Sequence, residues 1–372
     1  MKIAIVHDQI SEFGGAERVL LALKKIFPQA EVFTSFYSPF SLGQHAPQFK
    51  KWQIKTSWFG KVPLLHKLYS PLRFLTPLIW ESFDFRGYDI VISSSGSLMC
   101  KGIITRPETL HICYLHHPPR YLYHYETAIE WQKYWLVKIY GHLINHKLRQ
   151  WDYLSSARVD HFIANSEETK RRITKFYHRD ATVIYPPVSI LPQLITDNLR
   201  PATYFVTTSR LARAKHIEVL IKAANKYRFH LKIVGQGRDE TYLRSLAGKT
   251  VQFMGNLPDH DFTKLYQNTK AFLFAAVDEE FGIAPIEAMG YGLPVIALNS
   301  GGLKETIQNG INGYLYDQLN EDSLFTKIKQ WENLSINDKK KMRLEARQSA
   351  EKYTFNIFKN NILNYVKSKI NF

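Results

Sequence analysis

Residues 271–297 read AFLFAAVDEEFGIAPIEAMGYGLPVIA. Ala271 to Ala276 form a short, continuous apolar run, the signature of a strand buried on both faces. An acidic DEE and a Phe-Gly-Ile-Ala-Pro turn follow, then a helix-length segment, IEAMGYG. A second apolar run, LPVIALNS (293–300), closes the stretch. Strand, helix and buried strand in that order make a βαβ unit, which sets two parallel strands in one covered sheet. Around its turn stand two carboxylates eight residues apart, Glu279 and Glu287.

The alternation continues outward in both directions. Upstream lie KIAIV (2–6), AEVFTSF (30–36), DIVISSS (89–95), HICYLH (111–116), HFIANS (161–166) and TVIYPPV (182–188). After these come YFVTTSRL (204–211), HLKIVGQG (230–237) and VQFMGN (251–256). Helical patterns separate them, so the class is α/β with parallel sheets. Pro186, Pro187, Pro192 and Pro201 crowd residues 186–203, which read as a linker. The expectation is two doubly wound, Rossmann-like domains, 1–190 and 200–354, facing a central cleft. Segment 355–372 is helical in pattern and packs back on the first. In such sheets ligands bind beyond the C-terminal strand ends.

The 372 residues suit two domains, and 45% hydrophobic with 22% charged content describes a globular chain. Two cysteines, Cys100 and Cys113, imply no disulfide framework and a reducing compartment. The start, MKIAIVHD, reads as a buried strand and not as a leader, and no run is long enough to span a bilayer. A cytoplasmic protein, peripheral on the inner membrane face, is the expectation.

The net charge of +16 calls for an anionic partner. Residues 51–80 hold five basic side chains and no acid, interleaved with Trp52, Trp58, Phe59, Tyr69, Phe74 and Trp80. Residues 131–149 repeat the pattern with Lys133, Lys138, Lys147 and Arg149 beside Trp131, Trp135 and Tyr140. Such mixtures suit an anionic membrane surface, and they equally suit a solvated face over an ordinary core. No nucleic-acid recognition motif is present.

Several loops carry groups that can do chemistry. In SRLARAK (209–215), Arg210 and Lys215 follow a strand and precede a helix, where free amides and the helix dipole add to their charge. A diphosphate fits there, although solvated loops carry the same residues. Gly235, in GQG, lets a backbone approach a ligand or simply turns tightly; the six-residue dinucleotide fingerprint is not completed. Glu279 lies at a strand end and Glu287 in the first turn of the next helix. With the amides of Gly282 and Ile283 they offer acceptors and donors to a ribose and a hexose. A lone Glu287 could also merely favour the helix dipole. In the first half, Gly14 and Gly15 precede a helix, as an anion site or a bare turn. His116 and His117 follow a strand, and the histidines show no zinc spacing with cysteine.

Taken together, GGAER, HHPPRY (116–121), DHFIANS, VIYPPV, SRLARAK, VGQG, FMGNLPD, EEFGIAPIEAMGYGLPVIA, GGLKE and NGINGYL make the chain resemble a retaining glycosyltransferase of family 4 with the two-domain GT-B fold. GGAER and VIYPPV resemble its mannosyltransferase-like members. The resemblance implies that Arg210 and Lys215 hold the donor diphosphate, Glu287 the ribose, and Glu279 the transferred sugar. Amides from Phe281 to Ala284 assist, His116 contacts the sugar, Gly15 lies against the phosphates, and Gly235 joins the donor site. It also implies a nucleotide sugar such as GDP-mannose as donor, a glycan or lipid-linked acceptor, and no metal or other cofactor. Three positions depart from the family pattern: Glu280 where glycine is common, Ser189 where aspartate is common, and His117 where threonine is frequent. These bear on donor and acceptor choice. A nucleotide-sugar epimerase of the same fold and a non-catalytic glycan- or membrane-binding protein are the alternatives.

Overall fold

A computed structural model of the chain describes residues 1–62, 65–127, 135–190 and 202–370. Most of the expected linker, together with Trp131 and Lys133, lies outside the described residues. The chain forms two compact units. Met1–Tyr125, Glu130–Pro187 and Phe355–Phe372 make the first, Glu126–Ile129 and Val188–Thr354 the second.

In the first unit the strands are β1 (Ile3–His7), β2 (Glu31–Thr34), β3 (Ile54–Thr56), β4 (Ile90–Ser95), β5 (Leu110–Leu115), β6 (His161–Ala164) and β7 (Ala181–Val183). They form one parallel sheet in the order β3-β2-β1-β4-β5-β6-β7. In the second they are β8 (Tyr204–Thr208), β9 (Leu231–Val234), β10 (Val251–Gly255), β11 (Thr269–Phe274), β12 (Val295–Leu298) and β13 (Gly313–Tyr316), in the order β10-β9-β8-β11-β12-β13. Each sheet thus runs third, second, first, fourth, fifth, sixth. The order reverses between first and fourth strands, β1 and β4 in one unit and β8 and β11 in the other. That reversal point is where doubly wound sheets bind ligands.

The pleat explains why these strands read as continuous apolar runs. Ile5, Ile90 and Ile92 face one side of the first sheet, against Val19, Leu20 and Leu23 of the helix Gly15–Ile26 and Phe358, Ile362 and Val366 of the helix Phe355–Ile370. Ala4, Val6 and Val91 face the other, against Phe36, Phe59, Ile79 and Trp80. Successive side chains point oppositely, so a strand covered on both faces needs apolar residues at every position. The second sheet is covered in the same way, with Phe205, Ile233, Leu273 and Ile296 among its buried residues.

Two edge strands, β3 and β13, were not anticipated; each is at most four residues long. β7 is shorter than expected. It stops at Val183, before Pro186 and Pro187, which have no N–H to extend a ladder. The basic-aromatic segment 51–80 divides: Phe59 and Trp80 are fully buried core, while Trp58 and Phe74 are exposed.

The first unit also buries charge. Lys101 and Asp152 are both fully buried with Nζ 2.9 Å from Oδ1. Lys101 Nζ also donates to the Asp152 carbonyl at 2.6 Å and to Ser155 Oγ at 2.8 Å. The hydroxyls of Tyr123 and Tyr177 donate to Asp152 Oδ2. The bonds meet most of what both ions lose with their water.

Candidate functional site

In the second unit, β8 and β11 lie side by side and their loops leave from the same end of the sheet. After β8 the chain passes Ser209 and Arg210, makes a 3₁₀ turn at Arg213–Lys215, and enters the helix Ile217–Tyr227. After β11 it passes Asp278 and Glu279 and enters the helix Ile283–Gly290. Val277 N–H donates to the Ala214 carbonyl at 3.3 Å, joining the two loops. Across that junction Lys215 Nζ donates to Glu279 Oε2 at 2.5 Å. Both side chains remain partly accessible, at 22% and 16%. A cation and a carboxylate are therefore held at the reversal point of the sheet, where a ligand can reach both.

Arg210 is exposed on the same loop as Lys215. Gly282 caps the following helix with φ of 84°, a left-handed conformation that suits glycine. Ile283 and Ala284 form the first helical turn and are half-buried. Glu287 is the fifth helical residue, in the second turn and not, as expected, the first. The helix dipole acts mainly over the first turn, so it is not what stations Glu287 there. Phe281 offers only its main chain, because its ring is buried edge-on against Tyr353 at 5.2 Å.

The close approach at Gly235 is to its own chain. Its φ is 126°, and a Cβ there would lie 2.0 Å from the Ser209 carbonyl oxygen. Gly235 thus braces the Arg210 loop. Gly301 does the same for the acidic loop: its φ is 57°, and a Cβ would meet the Glu279 carbonyl oxygen at 2.1 Å. Gly302 N–H donates to that oxygen at 2.7 Å, and Ser300 Oγ accepts from Asp278 N–H. This brace was not assigned from sequence, although the GGLKE motif was its signal.

His216, next to Lys215, was also missed. Its Nδ1 lies 3.0 Å from Glu218 Oε1 and its Nε2 2.7 Å from Glu126 Oε2. Glu218 and Glu126 hold its pKa above the ordinary histidine value, against the opposing effect of burial.

In the first unit Gly14 caps the helix Gly15–Ile26, and Gly15 is its half-buried first residue. Gly14 N–H donates to Glu17 Oε2 at 2.8 Å, so the helix start carries a carboxylate of its own. His116 follows β5 and is buried; its Nε2 lies 2.8 Å from Ser94 Oγ. Asp8, after β1, accepts from the backbone N–H groups of Gly96, Leu98 and Cys100, which orders the loop after β4. Among the described residues there is no group of three or more His, Cys, Asp or Glu side chains that could hold a metal ion, and no helix is long and apolar enough to cross a membrane.

Two family models match. Glycosyltransferase Family 4 covers residues 13–190 and Glycosyl transferases group 1 covers residues 198–352. The chain is 25% identical over 269 residues to the UDP-N-acetylglucosamine–peptide N-acetylglucosaminyltransferase GtfA subunit of Streptococcus pneumoniae, a match covering 67% of this chain and 50% of the relative. It is 24% identical to the alpha-1,3/1,6-mannosyltransferase ALG2 of Dictyostelium discoideum, over 99% of this chain and 98% of that protein. It spans half or less of the length of the GtfA subunits it matches. Anabaena Alr3699/HepE, crystallised with UDP and glucose, shares the fold with a TM-score of 0.72 at 19% identity, covering 99% of this chain and 100% of that one. Two parallel sheets of like order and two adjoining family matches agree: the chain belongs to the family 4 glycosyltransferases and has the GT-B fold.

Proposed function

We propose that the protein is a retaining glycosyltransferase that moves a hexose from a nucleotide sugar to a glycan or lipid-linked acceptor. One observation carries the reading: Lys215 and Glu279 meet at the reversal point of the second sheet. In the reaction, the bond from the sugar's anomeric carbon to the diphosphate oxygen breaks as a bond to the acceptor oxygen forms on the same face. The acceptor's proton passes to the leaving diphosphate. Lys215 and Arg210 stabilise the charge growing on that group, which lowers the barrier because the donors are in place beforehand. Glu279 and Glu287 accept hydrogen bonds from sugar and ribose hydroxyls, and the first amides of the helix Ile283–Gly290 donate. The reading leaves charge neutralisation to these side chains and calls for no metal.

Mannose from GDP-mannose is the donor we favour, supported by the likeness to ALG2 along the whole chain. A UDP-sugar is the second reading, supported by the names of the GtfA relatives and by the UDP and glucose in the HepE structure. Thermal shift with GDP-mannose, UDP-glucose and UDP-N-acetylglucosamine separates them. A donor at a hundred times its Kd stabilises by about 2.7 kcal/mol. Stabilisation by none of the three contradicts the reading.

An anionic membrane surface, on the inner face of a cytoplasmic membrane, is the setting we infer for a lipid-linked acceptor. Trp135, Leu136, Ile139 and Leu143 are exposed on the helix Trp135–Ser156, which carries no acid before Asp152. Tyr140 donates to the Pro71 carbonyl and ties this helix to the segment that carries exposed Leu68, Phe74 and Leu78. Apolar residues amid lysines suit anionic head groups.

A further inference from the structure

Lys215 reaches Glu279 from a corner that an L-residue rarely makes. The 3₁₀ turn Arg213–Lys215 ends at His216, and the helix Ile217–Tyr227 starts from the same residue. His216 has φ of 47° and ψ of 40°, the left-handed conformation, in which its Cβ crowds the following carbonyl oxygen. Glycine takes that conformation freely, yet here a residue with a bulky ring occupies it. Such residues persist only where their surroundings hold them, and they gather at functional sites. The main chain supplies one bond on each side. His216 N–H donates to the Arg213 carbonyl at 3.0 Å, and the His216 carbonyl accepts from Val219 N–H at 3.1 Å.

The ring supplies two more ties. Nδ1 lies 3.0 Å from Glu218 Oε1, and Nε2 lies 2.7 Å from Glu126 Oε2, 90 residues away in sequence. Glu126 belongs to the same compact unit as His216. A neutral imidazole has one bare nitrogen, which would set a lone pair against a carboxylate oxygen in one of these contacts. The imidazolium donates in both. Glu218 favours that charge, burial opposes it, and Glu126 adds to Glu218, so the ring titrates above the ordinary histidine value. Glu218 titrates below the ordinary carboxylate value: burial works against this, and His216 and, more weakly, Arg213 outweigh it. Lys215, next along the chain, is paired with Glu279.

We propose that His216, held as an imidazolium between Glu126 and Glu218, is a positioning residue that locks the corner from which Lys215 is presented to the donor diphosphate. The inference deepens the proposed function and rests on it, since the corner matters to turnover only if Lys215 meets the diphosphate. When the ring loses its proton, one carboxylate faces a bare nitrogen and lets go. The corner is then held against its own crowding by fewer bonds, and Lys215 is no longer fixed. The lock is complete below the ordinary histidine value and opens as pH rises through the higher folded value. A ring that merely filled space would give no such dependence.

The test pairs an imidazole ¹⁵N titration of the protein alone with kcat/KM for nucleoside diphosphate release from GDP-mannose, UDP-glucose or UDP-N-acetylglucosamine, across neutral and alkaline pH. In the parent, His216 should titrate above the ordinary histidine value, and kcat/KM should fall about tenfold through the same midpoint, the scale of a small misplacement of a catalytic group. Glu126→Gln alters an exposed side chain and should fold as the parent does. It should move the titration and the fall in kcat/KM together to lower pH. His216→Gln, which cannot charge, should abolish the fall and lie about tenfold below the parental plateau at every pH. A parental kcat/KM that does not follow the His216 titration overturns the inference. So does parental turnover by His216→Gln, or a His216 ring already neutral at neutral pH. With Lys215→Ala impaired, each of these leaves the proposed function standing. Parental turnover by Lys215→Ala, or release from none of the three donors, overturns the proposed function and, with it, this inference.

Discussion

Lys215 Nζ lies 2.5 Å from Glu279 Oε2, although 64 residues separate them in the chain. The pair joins the two loops that leave the sheet where its strand order reverses. Each partner balances the other's charge, so neither arm of the site stands as a bare ion before a ligand arrives. A diphosphate would compete for the lysine and sugar hydroxyls for the carboxylate.

Glu279→Gln separates those two tasks. It keeps the side chain's size and removes the charge that holds Lys215. Binding of the nucleoside diphosphate, measured by titration calorimetry, should be retained or tightened. Turnover should fall at least tenfold, because charged hydrogen bonds to the sugar are lost. Parental turnover would contradict the role given to Glu279.

Lys101→Ala should destabilise the protein by about 3–5 kcal/mol, the usual cost of leaving one member of a buried ion pair without the other. Denaturant unfolding reads this directly. A loss below about 1 kcal/mol would mean that Asp152 is satisfied without the lysine.

Burial pushes the His111 pKa down to about 4. In the unfolded chain it titrates near 6.5. Above that both states are neutral and the full stability is present. As pH falls from 6.5 toward 4, the unfolded state takes up a proton that the folded state refuses. Stability is lost over that window, by about 3 kcal/mol for this one group. His216 acts in the opposite sense, since its pKa is raised: its contribution is complete below 6.5 and is lost as pH rises through its folded value. Stability curves of His111→Gln and His216→Gln should each lose one of these two limbs.

Much of this was legible in residues 271–297 and their counterparts. Strands buried on both faces admit few polar residues, so the central strands of both sheets showed as apolar runs. β3 and β13 were not visible: β3 carries Lys55 and Thr56 in three residues and β13 opens on Gly313, so neither shows as an apolar run. Arg210, Lys215 and Glu279 could be read because strand ends and helix starts are marked locally. Their pairing could not, since it depends on β8 and β11 being neighbours across intervening strands. Gly235 and Gly301 were read as ligand-approach or unassigned glycines for the same reason: what each excludes is a backbone oxygen from a distant loop. The buried charges Lys101, Asp152 and Glu17 are indistinguishable in sequence from surface ones.

Cys100 and Cys113 are free and buried, and burial pushes the Cys113 thiol up to about 12 and that of Cys100 well above its ordinary value. Neither should react with a thiol reagent in the native protein at pH 8, and both should react in denaturant. Rapid native labelling would show that the core around β4 and β5 opens.

Binding to anionic vesicles should weaken as salt rises from 0.05 to about 0.5 M, as screening shortens the reach of the lysines. Replacing Leu136 and Ile139 by Ser should weaken it further at every salt concentration. Equal binding to neutral vesicles would contradict the assignment.

The most direct test is titration of the parent protein and the Lys215→Ala variant with the preferred nucleotide sugar. Loss of a charge-assisted contact to the diphosphate predicts roughly 10- to 100-fold weaker binding and about 10²- to 10³-fold slower transfer, with the unliganded protein still folded and unfolding cooperatively. Parental affinity and parental turnover in Lys215→Ala would contradict the account.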